Sequence, residues 1–232
     1  MPRKKSRTFV DRTDAGRQLG QRLAGLRGQD VVVLGLPRGG VPVAFEVAKA
    51  LGAPLDVIVV RKLGVPFRPE LAMGAIGEGS TRVLDAHILS QAGVTEEDLQ
   101  TIETKERQLL EERRTRYRQG RIRTDVRGRI VVVVDDGMAT GSTGRVACQV
   151  AKQLGAAQVI LAVPVAPAST VASFMEADEI VSLVSPRRFE AVGSYYNDFS
   201  ATDDDEVVTL LDAAARSRSG PDGGCPNSRE RQ

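Results

Sequence analysis

Two adjacent aspartates, Asp135 and Asp136, follow a run of β-branched residues and precede a loop of small residues and hydroxyls. The run, residues 130–134, is apolar without alternation, which is typical of a strand buried on both faces of a parallel sheet. The loop ends at Ser142 and Thr143, either of which could cap a helix that begins there. Backbone N–H groups at a helix start bind phosphate, and the helix dipole favours the anion. Two carboxylates beside such a cradle predict a sugar phosphate, whose hydroxyls or metal the acids would bind.

A second glycine-rich loop follows an earlier apolar run. Residues 31–34 predict another buried strand, which leads through Leu36-Pro37-Arg38-Gly39-Gly40 into a helix over residues 41–51. The glycine pair lets the backbone approach a ligand, and Arg38 can donate charge-assisted hydrogen bonds to phosphate. Residues 56–60 predict a third strand. This alternation predicts an α/β fold, a parallel sheet flanked by helices, with ligand loops at the carboxyl ends of the strands.

Two common nucleotide-binding loops are excluded. Gly141 stands directly before Ser142, where the P-loop of nucleotide hydrolases needs a lysine. The Gly-x-Gly-x-x-Gly fingerprint of dinucleotide-binding domains is absent from both loops. The segment from Val131 to Thr143 instead resembles the binding motif of the type I phosphoribosyltransferases, with strand, acid pair, small loop and hydroxyls in the family's order. These enzymes use 5-phosphoribosyl 1-pyrophosphate (PRPP).

The resemblance implies the type I phosphoribosyltransferase fold, with a small hood and a loop–helix insertion, and a role for each part of the site. Asp135 and Asp136 would bind the ribose 2′- and 3′-hydroxyls and support Mg²⁺, and residues 139–143 would hold the 5′-phosphate. The loop after the first core strand would bind the diphosphate, and the end of the next strand would add further phosphate contacts. The substrate-binding residues implied are Arg38, Gly39, Gly40, Arg61, Lys62, Gly137, Met138, Ala139, Thr140, Gly141, Ser142 and Thr143.

The long segment at residues 63–85 falls where the family carries a flexible catalytic loop, which closes to exclude water. Residues 61–72 also resemble a bacterial subgroup of phosphoribosyltransferases without an assigned acceptor. Ala139 stands where the hypoxanthine-guanine type has an aspartate near the purine N7, as in the adenine type, which argues against a 6-oxopurine acceptor. Glu70 or Glu78 in the long loop could supply the catalytic acid or base, and either could equally be a solvated loop charge.

Three functions remain open at this point. The resemblance implies an enzyme that transfers phosphoribose from Mg-PRPP to a nitrogenous base and releases pyrophosphate. A PRPP-sensing regulatory protein without turnover would keep the same pocket. A doubly wound domain that binds another phosphorylated ligand is the weakest of the three.

The remaining pattern predicts the elements around this core. Thr13 could cap a first helix, and two short segments around residues 77–80 could form a hairpin. A charged helix with Thr95 as its cap runs to about Arg118 and has only a thin apolar seam, typical of a solvated helix along one edge. Asp203 or Asp204 could cap a final helix. The aromatic residues Tyr195, Tyr196 and Phe199 could stack a base or pack in the core, and we expect at least one of them in the core.

These elements predict one domain over residues 1–215. Its core would span about residues 8–184, its insertion about 63–120 and its hood about 185–200. Residues 216–232 are rich in serine, glycine, proline and charges, which predicts a disordered tail.

Composition narrows the class of protein further. The chain has 232 residues and a formal net charge of +2, so it lacks the basic balance of a nucleic-acid binder that relies on charge. It shows no apolar segment long enough to span a membrane and no signal peptide, and we expect a cytoplasmic protein. A single histidine, His87, leaves little material for a zinc site or a catalytic triad. A homodimer is possible, because dimers are common for this fold.

Overall fold

In a computed structural model of the chain, which describes residues 9–218, strands and helices alternate around a central sheet. The strands are β1 (Val31–Gly35), β2 (Leu55–Val57), β3 (Val60–Val65), β4 (Arg68–Gly77), β5 (Arg82–Leu84), β6 (Ile130–Val134), β7 (Gln158–Val165) and β8 (Glu179–Val184). The helices are α1 (Arg12–Arg22), α2 (Gly40–Leu51), α3 (Ala86–Ala92), α4 (Glu96–Arg118), α5 (Ser142–Gln153), α6 (Ala168–Ala172) and α7 (Asp204–Arg218).

The central sheet has the order β2-β1-β6-β7-β8, and its neighbouring strands are parallel. β1 and β6 are adjacent, in a register that places Gly35 opposite Val134. The two loops that the sequence singled out therefore leave the same edge of the sheet side by side. The predicted α/β class is confirmed. The third strand was predicted to reach Val60, but β2 ends at Val57 and Val60 already belongs to another sheet.

Side chains of the inner strands alternate between two helix layers. Val32 and Leu34 pack against α5, whereas Val31 and Val33 pack against α1 and α2. Because both faces are covered, the inner strands read as continuous apolar runs. Helix α1 is capped by Asp11, whose Oδ1 accepts a 2.7 Å hydrogen bond from the Asp14 backbone N–H. The predicted cap, Thr13, lies inside the first turn instead.

The segment predicted as a flexible catalytic loop is a three-stranded antiparallel sheet, β3-β4-β5. The predicted hairpin is present, with Ala75 opposite Val83. The glycines and prolines that break helices here are compatible with strands, because Gly64 and Gly74 pack against neighbouring backbone and Pro66 lies in the turn between β3 and β4. We refer to β3, β4, β5, α3 and α4 together as the insertion.

Helix α4 is the longest element of the insertion. It begins at the predicted cap, Thr95, which forms a capping box: Thr95 Oγ1 accepts from the Asp98 N–H at 3.1 Å, and Asp98 accepts in return from the Thr95 N–H at 3.1 Å. At its other end Arg118 is 3% exposed and pairs with Asp56 and with Glu78. A buried ion-pair cluster thus joins α4 to β2 and to the β4–β5 turn.

The C-terminal part of the described chain returns to the N-terminal part. Phe9 pairs with Tyr196 as an isolated parallel bridge, which ties the start of the described chain to the predicted hood. Asp203 accepts from the Glu206 N–H at 2.7 Å, as predicted for the cap of the final helix. That helix continues to Arg218, so the predicted start of disorder at residue 216 is wrong. Residues 1–8 and 219–232, which include the rest of the predicted tail, lie outside the described residues.

Candidate functional site

The two glycine-rich loops contact each other at the carboxyl edge of β1 and β6. A Cβ added at Gly40 would lie 2.6 Å from the Val134 carbonyl oxygen and 2.9 Å from Asp135 Cα, and one at Gly39 would collide with the Asp136 carboxylate. Neither glycine has a positive φ, so close approach rather than conformational freedom requires them. The peptide bond between Pro37 and Arg38 is cis. The loop of Arg38 therefore lies directly against the acid pair.

The two aspartates have different surroundings. Asp135 lines a cavity and its Oδ1 accepts the Asp136 backbone N–H at 2.9 Å. Asp136 Oδ2 instead accepts from the Nε of Arg12 at 2.8 Å and lies 2.8 Å from its Nη2. Arg12 also donates to the Ser200 carbonyl oxygen at 2.6 Å and stacks on the Phe199 ring at 4.0 Å. The pair therefore divides into one acid that faces open space and one that is held by an arginine.

Burial affects the protonation of both acids. Desolvation, followed by repulsion from the Asp136 carboxylate, raises the pKa of Asp135 well above its ordinary value. Desolvation also raises the pKa of Asp136, although the guanidinium of Arg12 opposes the rise. Tyr196 donates from its hydroxyl to the Asp136 carbonyl oxygen at 2.5 Å, and burial raises the pKa of this phenol. Asp135 therefore pays the larger electrostatic penalty in the ligand-free protein, which a cation or a hydroxyl donor would relieve.

The loop after β6 leaves the start of α5 open to a ligand. Its N-cap is Gly141 with φ 79°, which has no side chain to accept the first N–H groups. Ser142, predicted as a possible cap together with Thr143, is instead the first helical residue, and its N–H makes only a long 3.4 Å hydrogen bond to Thr140 Oγ1. Thr170 donates to the Ala139 carbonyl oxygen at 2.8 Å and so fixes the loop against α6. The first turn of this twelve-residue helix is an anion-binding geometry.

Two cavities meet at Ser142 and Thr143. One, of about 250 Å³, is lined by Asp135, the loop after β6 and Val192. The other, of about 370 Å³, lies between Pro37, the start of the insertion and the first turn of α5. We call them the loop cavity and the insertion cavity. A ligand with an anionic group at each end could occupy both.

Comparison with known proteins identifies the family. The family model described as "Phosphoribosyl transferase domain" matches residues 13–190. The chain belongs to this family. A protein of Mycobacterium tuberculosis that is provisionally named a phosphoribosyl transferase is 57% identical over 209 residues, which are 90% of this chain and 47% of that protein. The chain thus spans about half the length of that relative.

A solved structure shares the fold closely. The crystal structure of TT1426 from Thermus thermophilus superposes with a TM-score of 0.81 and 45% identity, over 88% of this chain and 97% of that one. The central sheet and its helices are thus those of a phosphoribosyl transferase domain.

Two of the three predicted cations of this phosphoribosyl transferase domain lie in the insertion, whereas Arg38 is exposed on the loop after β1 and lines neither cavity. Arg61 and Lys62 belong to β3 and line the insertion cavity, together with Pro37. Arg61 pairs with Glu106 of α4, with Nε 2.6 Å from Oε2, whereas Lys62 donates from Nζ to the Glu70 backbone oxygen at 3.2 Å. The structure therefore brings both predicted residues to the cavity, although Arg61 already has a carboxylate partner.

The two candidate catalytic acids are not brought to the phosphate loop. Glu78 is 6% exposed and pairs with Arg118, and the preceding Gly77 packs on Val150. Val150 lies two turns along α5 from Ser142, roughly 12 Å at 1.5 Å per residue. Glu78 is therefore not a solvated loop charge and lies away from the phosphate loop, and its catalytic role stays a prediction. Glu70 is exposed on β4 and lines neither cavity, so its role stays a prediction.

The predicted hood borders the loop cavity, and its aromatic rings pack against other parts of the protein. Val192 lines the cavity and would collide with a Cβ at Gly137, so this glycine allows the hood to approach. Tyr196 is fully buried and Phe199 lies beneath Arg12, which confirms the expectation that at least one aromatic belongs to the core. Tyr195 stacks on Phe189 with ring centroids 5.8 Å apart.

Arg12 belongs to the site although no motif indicates it. Arg12 is 124 residues from Asp136 in sequence, and no local pattern connects them. Met138, predicted to bind substrate, lines the loop cavity, but its side chain is 5% exposed and belongs to the apolar core, so its role stays a prediction. Within residues 9–218, no helix combines the length and apolarity needed to cross a membrane.

Proposed function

We propose that this chain transfers the phosphoribosyl group of Mg-PRPP to a nitrogen of an acceptor base and releases pyrophosphate. One observation carries the proposal: the uncapped first turn of α5 shares one cavity with Asp135 and another with the second loop, whose glycine pair contacts the acids. A phosphate cradle, an available carboxylate and a diphosphate loop thus share one edge of the sheet. Membership of the phosphoribosyl transferase domain family supports the same interpretation.

The residues divide the substrate between them. The first-turn N–H groups of α5, with Thr140 and Ser142, would hold the 5′-phosphate, because the helix dipole and unpaired amides favour an anion. Asp135 would accept the ribose hydroxyls. The backbone at Gly39 and Gly40, with Arg38 and Lys62, would hold the diphosphate. The sugar would then span the junction of the loop and insertion cavities.

The donor set fits magnesium in the manner that this ion prefers. Residues 9–218 contain no cluster of three acidic, histidine or cysteine side chains that could hold a metal by themselves. Mg²⁺ usually keeps several waters and binds one or two carboxylates together with substrate phosphates. Asp135 would hold it with oxygens of the substrate, and Asp136 would contribute if Arg12 releases it. When bound, the ion would neutralise charge on the leaving diphosphate.

The chemistry asks mainly for positioning. The anomeric carbon loses its bond to diphosphate oxygen and gains one to the base nitrogen, which gives up its proton. The protein holds the two reactants in line and stabilises the charge that develops on the leaving group. No covalent nucleophile is needed. Cys148 could not act as a nucleophile, because it is fully buried and desolvation raises its pKa to about 12.

Pyrophosphate release from Mg-PRPP across a panel of purines and pyrimidines tests the proposal. We expect release that depends on one base or a small group of bases. The Asp135→Asn, Asp136→Asn double variant should lose it, whereas Asp205→Asn, which changes an exposed charge on α7, should not. Tight PRPP binding without turnover on any base would instead indicate a PRPP sensor.

A further inference from the structure

Helix α4 packs on the rest of the protein along one stripe. Leu99, Leu110 and Tyr117 are its buried apolar positions, and Ile102 is half-buried. Residues 99, 102, 106, 110, 113 and 117 are separated by three or four positions, so they share one face of the helix. Two members of this inward stripe, residues 106 and 113, are charged.

The two charged members differ in their partners. Glu106 accepts from Arg61 of β3, so its charge is neutralised across the interface between helix and sheet. Arg113 is exposed although it occupies an inward position, and among the described residues no ion pair or hydrogen bond to its side chain is found. The stripe therefore meets open space at Arg113, rather than a packed surface.

Neighbouring arginines of the same helix behave differently. Arg107, Arg114, Arg116 and Arg118 each pair with a carboxylate, on α4 itself or on another element. In a segment so rich in both charges, an arginine that faces inward without a partner is the exception. Ordinary solvation of a helix surface accounts for outward arginines, but not for one on the packing face.

The open space beside Arg113 is the insertion cavity. Arg113 lines it together with Arg61 and Lys62 of β3 and with Ser142 and Thr143 at the start of α5. Its lining includes these three cationic residues and no acidic one. Because Arg61 is paired with Glu106, Lys62 and Arg113 supply the net positive charge of the cavity, which favours an anion.

Arg38 approaches the same end of α4 from the opposite loop. The pKa of Tyr117 is raised to about 12, mainly by burial and by its hydrogen bond to Asp204, and the charges of Arg113 and Arg38 both oppose this rise. Both guanidinium groups therefore lie close enough to Tyr117 to affect it. The charges of Arg38 and Arg113 thus both act on the end of α4 that holds Tyr117.

We propose that Arg113 is a substrate-binding residue that contacts the diphosphate of PRPP from the insertion, beside Lys62. The assignment rests on the proposed function and adds to it: the insertion is part of the active site, not an appendage along its edge. Arg113 would act on the leaving group, not on the ribose 5-phosphate half of the substrate, because the proposed function places that half in the loop cavity, which Arg113 does not line.

Binding of two ligands separates this role from a structural one. Magnesium pyrophosphate and ribose 5-phosphate are titrated calorimetrically into the full chain and into Arg113→Gln. We expect the dissociation constant for magnesium pyrophosphate to rise roughly tenfold or more, as for loss of a hydrogen bond to a charged group. The constant for ribose 5-phosphate should stay within about twofold of the unsubstituted protein, and Arg113→Lys should recover part of the loss.

Arg114→Gln is the matched control, because it removes the same charge from the next residue, which faces Glu111 instead of the cavity. It should leave both constants unchanged. Unchanged pyrophosphate binding in Arg113→Gln would overturn the assignment, and so would an equal loss of both ligands. If the unsubstituted chain binds neither PRPP nor pyrophosphate, the proposed function fails, and the assignment fails with it.

Discussion

The carboxyl edge of the central sheet and the insertion both contribute to the candidate site, but they are held together by different forces. At the sheet edge, glycines allow backbone to pack directly on backbone, as Gly40 does on Val134 and Asp135. In the insertion, long side chains of opposite charge connect elements distant in sequence, as Arg118 does for Asp56 and Glu78. The first region is fixed by close packing, and the second by charge pairing.

The two regions should tolerate substitutions differently. A close-packed loop tolerates almost no added atom, so its chemistry is tied to its backbone. A charge-paired insertion can exchange partners and place a cation such as Arg113 into the cavity without changing the loops.

Removing the arginine of the buried cluster should have the largest effect on stability. Arg118→Met leaves the carboxylates of Asp56 and Glu78 buried without their cation, which costs about 3–5 kcal/mol of unfolding free energy. Urea unfolding at neutral pH measures the loss. The control is Arg114→Gln, an exposed pair on the same helix, which should change the value by about 0.5 kcal/mol or less. A loss near that of the control would show that charge pairing does not hold the insertion.

The close-packed region should respond to a single methyl group. Gly40→Ala places a Cβ against the backbone of Val134 and Asp135 and should cost about 1–3 kcal/mol, as overpacking does. It should also abolish stabilisation by Mg-PRPP in a thermal shift assay, because the acid pair must move. Gly25→Ala, where no heavy atom lies within 4 Å of the added Cβ, is the control and should keep both properties. Normal PRPP stabilisation in Gly40→Ala would contradict the close-packing account.

The smallest expected effect is a gain in stability. The folded-state pKa of Asp135 is raised above its unfolded value, so the wild-type protein loses stability as pH rises through that raised pKa. Asp135→Asn removes this loss. Without ligand and with a chelator present, its Tm should exceed the wild-type Tm by a few degrees at pH 8, and the two should converge near pH 4. A lower Tm than wild type at pH 8 would show that the carboxylate stabilises the empty site.

The sequence was sufficient for the sheet edge because its signals are local. Apolar runs of β-branched residues predict β1 and β6, and the loops after them adjoin their strands, so the position of Asp135 and Gly39 follows from the topology. The caps were less accurate. Ser142 and Thr143 have cap chemistry, but Gly141 takes the position, because the chain turns there through a positive φ.

The insertion was harder to predict because its contacts join residues far apart in the chain. Helix α4 and its cap followed from Thr95 and the acidic first turn. The segment before it has glycine and proline spacing that fits a loop as well as it fits short strands, and β3 and β4 form only by pairing with each other. Glu70 and Glu78 are both candidate acids from the sequence because they lie in this segment, whereas the pairing of Glu78 with Arg118, forty residues away, has no local signal. Arg113 is a charged residue in the apolar stripe of α4, and this departure from the pattern is visible in the sequence. It is hard to recognise because the stripe contains few apolar residues.

The most direct test of the proposal that Asp135 and Asp136 bind Mg-PRPP is calorimetric titration of Mg-PRPP into the full chain and into the Asp135→Asn, Asp136→Asn double variant. We expect saturable binding to the wild-type chain and loss of that binding in the double variant, which should stay folded by circular dichroism. Equal PRPP affinity in the two proteins would contradict the assignment of the acid pair. No binding to the wild-type chain would contradict the proposed function itself.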